Sequence, residues 1–133
     1  MTVTRYAVYF TPAQDHPLTA AAEHWLGRSA WRNEDVVRVT PPNTGPDVIE
    51  RFTRSARKYG FHATMKAPFR LVEGQSEATL LQACEDFASA QAETTINHLI
   101  AKQISTFSAL VPAEQSDDLR ALAASAVEHF EPF

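Results

Sequence analysis

Three residues at alternate positions, His62, Thr64 and Lys66, could carry chemistry in this sequence of 133 residues. They lie in the stretch Tyr59-Gly60-Phe61-His62-Ala63-Thr64-Met65-Lys66. Read as a β-strand, that stretch sends His62, Thr64 and Lys66 to one face and Phe61, Ala63 and Met65, the packing residues, to the other. Neighbours on one face of a strand stand about 6.5–7 Å apart, so an imidazole, a hydroxyl and an ammonium can line one small cleft. A neutral imidazole takes a proton from water or a hydroxyl near pH 7, while the other two groups hydrogen-bond or neutralise phosphoryl oxygens. The trio suits a phosphate. As a bare pattern, however, His-x-Thr is common, and a buried structural histidine is the plain alternative.

The charge distribution bears on that choice. Between Arg51 and Val72 stand six cations (Arg51, Arg54, Arg57, Lys58, Lys66 and Arg70) and no Asp or Glu, half of the 12 Lys and Arg in the chain. The remainder is acidic, and the net charge is −4. Such asymmetry focuses a local positive potential on a small anion without making the whole surface basic, which argues against broad nucleic-acid binding. A solvated basic helix face explains Arg51, Arg54 and Lys58 equally well, but Lys66 less well. Lys66, Tyr6 and Arg70 are the candidate phosphate-binding residues.

The elements that must position these groups are legible in outline. Arg5 to Phe10 is aromatic and β-branched and stops at Thr11-Pro12, which predicts a first strand inside a sheet. Leu18 to Leu26 predicts a helix ended by Gly27, and Asp35 to Thr40 a short strand before Pro41-Pro42. Asp47 to Lys58 predicts an amphipathic helix with Val48, Ile49, Phe52 and Ala56 inward and the cations outside that stripe. Gly60 breaks it, and Pro68 marks an edge, a bulge or the end of the central strand. Ser76 caps a helix to about Ala90 on a stripe of Leu80, Cys84, Phe87 and Ala88. Thr94 to Val111 is a second β-rich region, with a hairpin turn near Ser105-Thr106. Ser116 caps a last helix on Leu119, Leu122, Ala123, Ala126, Val127 and Phe130. This order lacks strict βαβ alternation, so the expected class is α+β with a mostly antiparallel sheet flanked by helices.

With 44% hydrophobic and 21% charged residues, the chain is expected to form a single domain over 1–133. No apolar run approaches the roughly 20 residues of a membrane span and no signal-peptide core follows Met1, so a cytoplasmic protein without a membrane partner is expected. The lone Cys84 is expected as a small core residue on a helix. His16, His24, His98 and His129 fit surface or capping roles, and no zinc-type spacing or carboxylate cluster appears, so neither a metal nor a cofactor is expected. Trp25, Trp31, Tyr6, Tyr9 and Phe10 could stack on a base, but at these spacings they read first as core. No Gly-rich phosphate loop is present.

Beyond these patterns, the blocks Arg5 to Phe10, Trp25-Leu26-Gly27-Arg28, Tyr59 to Phe69 and Phe107 to Pro112 resemble a family of uncharacterised proteins encoded with phosphonate-utilisation genes. That family is placed in the two-histidine phosphoesterase superfamily. The resemblance implies a bilobal α+β fold in which each half gives one His-x-Thr/Ser strand to a central cleft. It further implies a metal-independent phosphoesterase acting on a cyclic phosphodiester or phosphonate-related ester, with one histidine as base and the other as acid. His62 and Thr64 match the first motif. A second motif is expected after the helix ending near Phe130, and the sequence ends at Phe133 without it. The chain is therefore expected to be the N-terminal portion of a longer protein, or to work as a homodimer in which two central strands share one phosphate. The alternatives are a noncatalytic phosphate-binding or interaction module and an inactive fragment.

Overall fold

The structure is a computed structural model and describes residues 4–133. It is α+β, with four helices and three two-stranded sheets among the described residues. The chain divides into two compact units, one formed by Tyr9–Thr64 and the other by the segment ending at Val8 together with Met65–Phe133. Strands β1 (Tyr6–Phe10) and β4 (Ala63–Phe69) pair with each other. A two-stranded sheet consists only of edges, which is why Pro68 is tolerated within β4.

In the Tyr9–Thr64 unit, helix α1 (Pro17–Leu26) starts where the His16 ring nitrogen Nδ1 accepts the Leu18 N–H at 3.1 Å. It ends at Gly27, whose φ of 73° is left-handed. A short ladder of β2 (Arg28–Ser29) and β3 (Glu34–Asp35) follows. The strand expected over Asp35–Thr40 is thus confined to its first residue. Val36 and Val39 instead give their N–H groups to Gly27 and His24 carbonyls. Helix α2 (Pro46–Tyr59) buries Ile49 and Thr53.

The orientation of α2 corrects the sequence reading. Phe52, expected inward, is 73% exposed, Ala56 is exposed too, and the polar Thr53 is buried. Arg38 supplies the reason. Its guanidinium donates to the Thr53 hydroxyl at 2.9 Å and to the Leu26 carbonyl at 2.9 Å, while Thr53 donates to the Ile49 carbonyl. A hydroxyl with both partners satisfied can be buried at little cost, so the helix turns its Thr53 face inward.

The other unit packs α3 (Glu77–Ala90) and α4 (Asp117–His129) around Leu80, Ala126 and Phe130, with Phe130 only 1% exposed. Phe87 meets Phe130 and His129 at ring distances of 5.5 and 5.2 Å. Cys84 lies on α3 as expected but is half-buried and not in the core, and that partial burial pushes its thiol up. Strands β5 (Leu99–Ile104) and β6 (Phe107–Pro112) form an antiparallel hairpin pairing Ile104 with Phe107. Its turn passes through Ser105, which has a φ of 53°.

Ser76 caps α3 through a reciprocal pair of bonds with Thr79. Ser76→Ala should therefore destabilise this protein by about 1 kcal/mol, the usual worth of such a cap. Urea denaturation checks this, with the loss appearing as a lower midpoint at unchanged slope.

The aromatics that read as core from their spacing are largely outside it. Phe10, Trp25 and Trp31 are exposed, and Tyr9 is 37% exposed. No helix is long and apolar enough to cross a membrane among the described residues.

Candidate functional site

The local geometry around His62 begins with α2 running one residue further than the sequence suggests, through Tyr59. Arg28 donates to the Arg57 and Lys58 carbonyls at 3.2 and 3.3 Å, holding the last turn of α2, and is itself fixed by Asn33. Arg57 reaches the Asp35 carboxylate at 2.5 Å. The chain then reverses at buried Gly60, with φ 78° and ψ 177°. His62 consequently lies on the link before β4 and not within a strand, which corrects the expected Tyr59–Lys66 strand. The expected packing face also fails at Ala63, which is exposed.

His62 is nonetheless held. Its Nδ1 lies 2.9 Å from the Gly60 carbonyl oxygen. A carbonyl only accepts, so Nδ1 carries the proton in this bond and the neutral ring has its lone pair on Nε2. Among the described residues no hydrogen bond engages Nε2. The Tyr9 ring stacks on the imidazole at 3.8 Å between centroids and 18° between planes. Thr64, two residues on in the same unit, is exposed. His62 and Thr64 thus supply a proton acceptor and a hydroxyl donor a short way apart along the chain.

The other candidates belong to the second unit, where two of the three are engaged. Lys66 is mostly buried, and its ammonium lies 2.6 Å from Glu131 and 3.5 Å from the Val127 carbonyl near the end of α4. That ammonium holds the Glu131 carboxyl below the usual carboxylate range. A phosphate would compete with Glu131 for Lys66. Tyr6 donates its hydroxyl to Glu77 at 3.2 Å, and desolvation together with that carboxylate pushes the phenol up. Arg70 is exposed and makes no ion pair among the described residues.

Sequence reasoning misses Tyr9 and Arg28 as supports of His62. Tyr9 carries a signal, an aromatic in a predicted strand, but nothing in the pattern indicates its partner. His24 and His129 donate to the Val37 and Ala83 carbonyls, in keeping with structural roles. No group of three or more His, Cys, Asp or Glu able to hold a metal ion occurs among the described residues.

The model of a family described as Protein of unknown function (DUF1045) matches residues 64–133, just over half of the chain. The chain belongs to this DUF1045 family. Thr64 is the first residue of the match and His62 lies just before it.

The chain is also 40% identical over 129 residues to a ribose 1,5-bisphosphate phosphokinase PhnN of Janthinobacterium sp. (strain Marseille), covering 97% of this chain and 28% of the relative. A protein of the same name from Laribacter hongkongensis (strain HLHK9) is 35% identical over 130 residues, covering 92% of this chain and 29% of the relative. The chain thus spans less than a third of the length of these curated relatives. No solved structure matches it.

Proposed function

We propose that this chain carries one His-x-Thr half of a metal-independent phosphoesterase site, acting on a small phosphate or phosphonate ester in phosphonate-related metabolism. The observation that carries the reading is the Gly60 carbonyl on His62 Nδ1, which leaves Nε2 as a proton acceptor two residues before Thr64 in the chain. In the proposed step Nε2 takes a proton from water as the water oxygen bonds to phosphorus. The ester P–O bond breaks, and the departing oxygen gains a proton from a second acid. A second histidine, from a further segment or a second copy, supplies that proton. Thr64 donates to a phosphoryl oxygen that gains charge as the bond forms.

Two further points support the reading. The relatives' printed name concerns a ribose bisphosphate, so a sugar phosphate ester is the substrate class to try first. His62 and Thr64 also keep the His-x-Thr spacing that pairs a proton acceptor with a hydroxyl donor.

The test is hydrolysis of a panel of ribose and nucleoside cyclic phosphates and phosphonate monoesters, with chelator present. At least one should turn over, and Thr64→Val should slow it by up to about 10²-fold. If nothing is hydrolysed, yet inorganic phosphate binds and the binding is lost in Arg70→Ala, the noncatalytic phosphate-binding module replaces the enzyme reading.

A further inference from the structure

Resting on the phosphoesterase reading above, we infer that Tyr9 is the positioning residue of His62, locking the plane of the imidazole so that Nε2 faces the substrate. His62 lies outside the β4 ladder, so backbone pairing does not fix its ring. The bond from Nδ1 to the Gly60 carbonyl fixes one point of the ring and leaves it free to swing about that point. A second restraint is needed, and Tyr9 supplies it as a face contact at 3.8 Å and 18°.

Tyr9 stands at the penultimate position of β1, so a paired strand holds its backbone. The stack therefore transfers the rigidity of a strand to a side chain on a link. Its hydroxyl makes no hydrogen bond among the described residues, so the ring face is the working part. A group placed loosely by even a fraction of an ångström loses rate without losing affinity, because near-attack geometry is required for the proton transfer.

Three measurements on the whole chain test this. Tyr9→Leu should lower kcat about 3–10-fold at near-constant KM, the range expected when one aromatic stack is lost. Tyr9→Phe should restore the wild-type rate. Nitrogen-15 spectra of His62 should show the Nδ1–H tautomer in wild type and Tyr9→Phe, and a mixture of tautomers in Tyr9→Leu, where the unstacked ring swings far enough to leave the Gly60 carbonyl for part of the time. Wild-type spectra and rate in Tyr9→Leu would overturn the inference. Equal damage in Tyr9→Phe and Tyr9→Leu would overturn it too, because the hydroxyl and not the ring face would then matter. If Tyr9→Leu does not fold, Tyr9→Phe and Tyr9→Trp, which both keep a face, decide by the same spectra. Failure of wild type to hydrolyse any ester would remove the phosphoesterase reading, while the tautomer spectra would still report separately whether Tyr9 holds the ring.

Discussion

His62→Gln should lower kcat by about 10²–10⁴-fold, the usual worth of a positioned general base, and leave the fold intact. Glutamine is polar and of similar length, so this half-open position accepts it, although its amide nitrogen takes the place of Nε2 and the bond now made by Nδ1 at 2.9 Å goes. It cannot accept a proton near neutral pH, so the role of Nε2 is lost. His62 is only half-buried, and replacing it empties no core position. The stack on Tyr9 goes with it, at a cost of about 0.5–1.5 kcal/mol. Steady-state kinetics on the best ester of the panel, paired with a denaturation curve, separates the two effects. A rate within twofold of wild type in a folded His62→Gln protein would end the proposal that this imidazole is the base.

The parts of this molecule that are local along the chain are legible in its amino-acid sequence. Ser76 and Ser116 lie beside the helices they cap, and each meets its helix within three residues, at Thr79 and Leu119. The β5–β6 hairpin closes through neighbouring residues, so its turn near Ser105 can be read from composition. Gly27 and Gly60 stop their helices for reasons of backbone freedom alone.

What the sequence does not disclose depends on partners far along the chain. The pairing of Lys66 with Glu131, 65 residues away, is not visible from the strand pattern. The inward turn of Thr53 depends on Arg38, and the half-burial of Arg57 depends on Asp35. Without those partners, an inward threonine and arginine look worse than an inward Phe52. The two-residue period around His62 is disturbed for a related reason. The last turn of α2 is held by Arg28, which lies 30 residues before the Lys58 whose carbonyl it caps. That hold extends the helix through Tyr59, so Gly60 must turn the chain sharply and His62 falls before the ladder. The histidine stands out from its neighbours in the sequence, but its support does not.

Gly60→Ala should cost about 2–5 kcal/mol of stability and reduce activity in whatever fraction folds. Two penalties of separate origin combine. At φ 78° and ψ 177° the backbone occupies a region nearly closed to residues with a side chain, a penalty of about 1–3 kcal/mol. A Cβ built there would also lie 2.6 Å from the Ala30 Cβ, well inside van der Waals contact. Ala30 cannot easily withdraw, because it follows the fully buried Ser29, whose hydroxyl bonds Glu23. Overpacking of that kind costs about 1–3 kcal/mol. The stiffening of the unfolded chain by alanine acts in the opposite sense, but by no more than about 1 kcal/mol.

The two penalties can be told apart with Ala30→Gly, which removes the obstructing methyl. In the double variant the steric share should return while the backbone share remains, so its denaturation midpoint should lie between those of Gly60→Ala and Ala30→Gly. The activity should not recover with it. A Gly60 peptide shifted to relieve φ turns its carbonyl away from His62 Nδ1, and the tautomer then loses its anchor. Equal stability of Gly60→Ala and wild type would show that the close approach of Gly60 to Ala30 does not hold the turn that delivers His62. Full recovery of both stability and rate in the double variant would place the whole effect in the methyl contact and none in the backbone.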